Sequence, residues 1–150
     1  MKVKDIIKII ENFAPKELAY DWDNTGFITG DKEKDVKKIF ITLDMFKATV
    51  NEAIRCGADM IISHHPILFR GVQQIDYNSQ QGYIVKELIK NDIALYAAHT
   101  SVDCAKGGIN DVLAKKLNLK DIEIIEERVN EGCGLGRIGN LTEERNLINM

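Results

Sequence analysis

The sequence predicts an α/β domain, a layered and mostly parallel sheet flanked by helices. Three observations lead there. Short, nearly continuous apolar runs recur at residues 39–43 (IFITL), 60–62 (MII) and 93–98 (IALYAA), the type expected of parallel strands covered on both faces. Segments with helical apolar spacing separate these runs. The alternation continues into residues 122–125 (IEII), as in a sheet wound through right-handed crossovers.

Each element has its own local signal. Val3, Ile6, Ile7, Ile10 and Phe13 fall at helical spacing and Pro15 follows, so an amphipathic helix should stop near residue 13. Asp21-Trp22-Asp23-Asn24, leading into GFITGD, reads as a polar turn or as a loop over a site. A helix over 48–56 carries Val50, Ala53 and Ile54 and closes at Gly57; one over 82–90 carries Ile84, Leu88 and Ile89; one over 109–117 ends near Asn118. Residues 132–139 (GCGLGRIG) contain a G-x-G-x-x-G from Gly134. Those glycines neither follow a first strand nor open an apolar helix, which argues against a dinucleotide fingerprint. They predict instead a glycine-loosened strand or hairpin over 135–141 at an edge of the sheet. Thr142-Glu143-Glu144 then resembles an N-cap with an acidic first turn, and Leu147, Ile148 and Met150 begin an apolar stripe that stops. The expectation is a chain cut at the start of a helix.

Composition narrows the class. A length of 150 residues fits one domain with a core large enough to need no disulfide. The net charge is −3, with both signs interspersed, so there is no electrostatic footprint for nucleic acid or anionic lipid. Cys56, Cys104 and Cys133 are far apart and odd in number, as in a reduced cytoplasmic protein. No apolar run approaches the ~20 residues of a membrane span, and the N-terminus lacks a signal-peptide core. The expected location is cytoplasmic.

In an open α/β sheet, functional groups collect just beyond the carboxyl ends of the strands. Asp44 follows the first run, His64 and His65 the second, and His99 with Asp103 ends or follows the third. These are the only histidines in the chain. Pro66 restricts His65 and ends pairing, so the chain can bend there and send both rings into one pocket. Imidazole and carboxylate without thiolate suit Zn, Mn, Fe or Ni. Adjacent histidines are better placed to hold one ion each of a pair, with Asp103 bridging. His99 is either a ligand or a group that orients one. Asp44 reads first as a helix N-cap or turn residue, and Cys104 as a small buried side chain rather than a nucleophile.

The stretches ELAYDWDNTGFITGD, ITLDMF, ADMIISHHPILF, LYAAHTSVDCAKGGINDVLA and GLGRIGNL together resemble the N-terminal half of the Nif-three-like dinuclear-metal proteins, the type-2 GTP cyclohydrolase I homologues. The likeness covers nearly the whole chain. It implies that residues 1–150 form an N-terminal α/β metal-binding domain, that His64, His65 and Asp103 ligate metal, and that copies assemble into a toroidal homo-hexamer. It also implies hydrolytic opening of the guanine ring of GTP, with His99 as a candidate proton relay. The departure is at the other end: the family completes its site with an H-x-x-x-E motif in a second half, and no histidine follows His99 here. Two other readings of the same residues are a metal-dependent phosphoesterase or pyrophosphatase, and a non-catalytic metal-binding or assembly module.

Overall fold

The computed structural model describes residues 1–141. Helix α1 (Val3–Phe13) is followed by a short 3-10 turn (Lys16–Leu18), strand β1 (Gly26–Thr29), strand β2 (Ile39–Thr42), helix α2 (Lys47–Arg55) and strand β3 (Met60–Ser63). Helix α3 (Gln80–Lys90), strand β4 (Ala94–Ala97), helices α4 (Thr100–Cys104) and α5 (Ile109–Lys116), and strands β5 (Lys120–Glu127) and β6 (Gly134–Asn140) complete the order. The anticipated helix at Thr142 to Met150 lies outside the described residues. Among the described residues, no helix is long and apolar enough to cross a membrane.

The main sheet has the order β1-β4-β3-β2. β2, β3 and β4 run parallel, and β1 adds antiparallel to the far edge of β4. Alternation along the strands sorts their side chains into two cores. Ile61 and Leu95 face α2 and α3, joining Val50, Ala53, Ile84 and Leu88. Met60, Ala94 and Tyr96 face the other way and meet Val3, Ile6 and Ile7 of α1. β3 and β4 are therefore covered on both sides, as unbroken apolar runs suggest, whereas β2 at the sheet's edge leaves Ile39 and Ile41 exposed.

Helix ends follow the chain's local chemistry. Ser79 Oγ accepts from Gly82 N at 2.9 Å to start α3. Gly57 takes φ +65 just past α2, and the Ala58 amide returns to Ala53 O at 3.0 Å, a closure that suits a residue without a Cβ. Asn118 plays the same part for α5 at φ +55, with Leu119 N on Ala114 O at 3.0 Å.

Two expectations need correction. Residues 122–125 do not extend the parallel sheet, and residues 135–141 do not sit at its edge. β5 and β6 pair with each other in a separate two-stranded antiparallel sheet. Periodicity identified both as strands but carries no information about which partner each one takes. Two short elements had too little signal to read: β1, whose apolar run is only Phe27 and Ile28, and α4, of five residues.

Candidate metal centre

The carboxyl ends of β2, β3 and β4 bring the predicted side chains together. The parallel ladder runs one step beyond β3, with His64 N donating to Thr42 O at 3.0 Å and His65 N to Leu43 O at 2.9 Å. The buried Ser63 hydroxyl donates to His65 O at 3.0 Å, closing the bend before Pro66. Both rings then lie side by side with centroids 4.9 Å apart. His99 caps α4 after β4, its amide donating to Thr25 Oγ1 at 3.3 Å. Its ring is 5.2 Å from that of His64 and 5.5 Å from that of His65. One ring nitrogen from each of His64, His65 and His99 lies within 4.8 Å of the others.

Each imidazole is held from behind through Nδ1. His64 Nδ1 is 2.9 Å from Ala98 O, His65 Nδ1 is 2.7 Å from Asp44 Oδ1, and His99 Nδ1 is 2.8 Å from Asp23 Oδ1. An oxygen acceptor at Nδ1 puts the remaining proton there and leaves Nε2 with its lone pair free, the form in which histidine binds a metal. Asp103, on α4, stands beside His64, with Oδ2 at 3.7 Å from Nε2. The donor set of imidazole and carboxylate, gathered and pre-oriented, fits a divalent cation.

Asp44 is not the N-cap of α2; that position is Phe46, and the Asp44 carboxylate is turned to His65. Asp23 had been readable only as part of a turn or loop. Its carboxylate is fully buried and accepts from Thr100 Oγ1 at 2.5 Å and Thr100 N at 3.2 Å as well as contacting His99. Burial alone would raise this carboxyl, but the hydrogen bonds from Thr100 and His99 outweigh it and hold the group below the ordinary carboxylate range. The polar run before the first glycine was the sole hint, and 76 residues separate Asp23 from His99. Cys104 is fully buried in the core that also holds Ala14, Leu18 and Cys133, and burial pushes its thiol up, as suits a packing residue.

An α/β sheet with histidines and carboxylates gathered at its strand ends defines a class, that of proteins with a metal-type constellation at the sheet's carboxyl edge. The chain belongs to the Duf34/NIF3 (NGG1p interacting factor 3) family, whose sequence pattern matches residues 1–150. It is 48% identical over 123 residues to a Listeria innocua protein named GTP cyclohydrolase 1 type 2 homolog, covering 82% of this chain and 33% of that one. A Clostridium perfringens protein of the same name is 42% identical over 149 residues, covering 99% and 57%. Among solved structures, a Bacillus cereus protein related to NIF3 matches with TM-score 0.79 and 44% identity over 83% of this chain and 34% of its own. Reduced HcgD from Methanocaldococcus jannaschii matches with TM-score 0.82 and 39% identity, covering 94% and 54%. This chain thus spans between about a third and just over half the length of these relatives.

Proposed function

We propose that the chain supplies the N-terminal ligand set of a dinuclear divalent-metal centre in a hydrolase, with GTP-type nucleotides as the substrate class suggested by its relatives' names. One observation carries the reading: ring nitrogens of three histidines within 4.8 Å of one another, every ring anchored through Nδ1. His64, His65 and Asp103 would hold the metal. A bound Zn, Mn, Fe or Ni ion supplies a Lewis acid that acidifies water and stabilises a leaving oxygen. Ala98 O and Asp44 fix the ring planes of His64 and His65. Asp23 fixes His99 within the same cluster, which places it to ligate an ion or to relay a proton. Copies of the chain are expected to associate through the apolar surface that Ile122, Ile125 and Ile138 leave exposed on β5 and β6.

The test is metal content after loading with each ion and desalting. The chain should retain at most about one ion per protomer, weakly, and His65→Ala or Asp103→Ala should abolish retention. Unchanged retention in both variants would refute the ligand assignment. Turnover of GTP by this chain with added Mn²⁺ or Zn²⁺ that vanishes in His64→Ala would instead show that the ligands present suffice.

A further inference from the structure

We propose that Trp22 and Phe69, at the mouth of the histidine cluster, form a platform for a planar heteroaromatic ring, and that the cleft beyond Phe69 takes an anionic group attached to that ring. The inference deepens the hydrolytic reading and rests on it for what then happens to the ligand.

Trp22 is 57% exposed and Phe69 is 42% exposed, yet both are built into place. The indole stacks on Tyr20 with centroids 5.3 Å apart and planes 20° from parallel. The Arg128 guanidinium lies over the Tyr20 ring at 4.6 Å, so the indole is supported rather than loose. Asn24 Nδ2 donates to Leu68 O, fastening the Trp22 segment to the Phe69 segment across 44 residues. Trp22 and Phe69 meet at 5.8 Å with a 33° tilt, an open wedge rather than a closed stack. Both stand roughly edge-on to His99, at 6.4 Å and 6.3 Å. A flat ring laid against this wedge would cover two exposed aromatic faces and reach the histidines at once. A π-face matches them better than an aliphatic chain does, because offset and tilted ring contacts add to simple area burial.

The anionic half comes from the neighbouring cleft of about 700 Å³, whose lining includes Phe69, Arg70, Gln73, Gln74 and Ser79. Arg70 takes part in none of the ion pairs found among the described residues. Asp76 also lines the cleft and keeps its charge, with Asn78 N at 2.9 Å and Asn78 Nδ2 at 3.1 Å donating to its Oδ1, so Arg70 is the group an anion would have to reach. The Ser79 hydroxyl is committed to Asp76 O and Gly82 N, so Arg70 and the side-chain amides of Gln73 and Gln74 are the groups suited to a phosphate. The ligand class is therefore a planar heterocycle bearing phosphate.

Trp22 is the only tryptophan in the chain, so its fluorescence reports on the platform directly. Titrations are run on the metal-free protein in chelator with GTP, guanosine and ribose 5-phosphate as probes. GTP and guanosine should quench saturably, GTP the more tightly, and ribose 5-phosphate should not quench. Phe69→Ala should weaken both aromatic probes by at least about fivefold, with an unchanged circular dichroism spectrum because Phe69 lies in neither a helix nor a strand. Arg70→Gln should weaken GTP and leave guanosine as it was. Absence of saturable quenching, equal quenching by ribose 5-phosphate, or full affinity in folded Phe69→Ala would each overturn the platform. Saturable quenching alongside a wild-type chain that retains no Zn, Mn, Fe or Ni after loading and desalting would sink the hydrolytic reading and leave the platform standing.

Discussion

β4 (ALYA) and the three isoleucines of β5 (KDIEIIEE) meet opposite surroundings. All of β4 is buried; Leu95 is 0% exposed and packs among Ile61, Ile84 and Leu88. In β5 seven of eight residues are exposed, and Ile125 is 67% exposed. β4 has a strand on each side and helices on both faces, whereas among the described residues β5 has a single partner strand and leaves Ile122 and Ile125 exposed. Isoleucine and leucine stabilise a fold only where a second layer takes them out of water, at about 1.5–3 kcal/mol for a fully buried side chain. A two-stranded hairpin alone is marginal in water. This one is tied to the body by the Arg137–Asp111 ion pair between β6 and α5 and by Cys133 in the core beside α4.

That contrast can be broken by measurement. The largest effect is expected for Leu95→Ala, which should cost about 3 kcal/mol in urea unfolding through lost burial and a residual cavity. A cost no greater than that of Ile125→Ala would erase the distinction between the two strands. Next comes Asp111→Asn. It leaves the Arg137 guanidinium, whose side chain is 4% exposed, without its carboxylate, at a cost of about 1–3 kcal/mol. Amide exchange should speed up in β5 and β6 while β3 and β4 keep their protection; uniform loss would mean that the hairpin and sheet form one cooperative unit.

Acid should reproduce part of this change. Burial pushes the Asp111 carboxyl up, but the Arg137 guanidinium and the Gly107 amide outweigh it and hold it below its ordinary value. A carboxyl lowered in the folded state contributes stability in full above its unfolded pKa, ~3.9, and loses it as pH falls through the folded value. Hairpin protection should therefore be flat above about pH 5 and fall below about pH 4, and this acid loss should be absent in Asp111→Asn.

The smallest stability change is expected at Ile125→Ala, within about 0.5 kcal/mol, as for an exposed side chain. The same position should matter more for association. Ile122, Ile125 and Ile138 are all exposed on the hairpin, and apolar surface of this kind tends to be buried between molecules. Light scattering on a dilution series should show a dimer or larger species that Ile125→Glu shifts toward the 16.9 kDa monomer. A monomer at every concentration would mean that this face needs no cover.

Much of the site was readable in advance. Strand-end placement located His64, His65, His99 and Asp103 without coordinates, because parallel strands covered on both faces leave an unmistakable apolar run and the polar residues after it have one edge to occupy. Asp44 was placed at the right edge but given the wrong partner, since a carboxylate before a helix caps more often than it anchors a distant ring. Asp23 was legible only within a polar turn or a loop over a site: its role depends on β1 lying antiparallel beside β4, and β1, with only Phe27 and Ile28 as an apolar run, has too little periodicity to announce itself.

The sequence by itself determined the three parallel strands, the main helices with their Gly57 and Asn118 ends, and the imidazole–carboxylate character of the edge. These depend on side-chain periodicity and backbone preference, which act over a few residues. The tertiary structure alone decided that β5 and β6 pair apart from the main sheet, that Asp23 and Asp44 orient His99 and His65, and that Trp22 meets Phe69 beside the histidines. Those outcomes depend on contacts between segments dozens of residues apart, where many pairings satisfy the same local pattern and the shared burial of whole layers selects one.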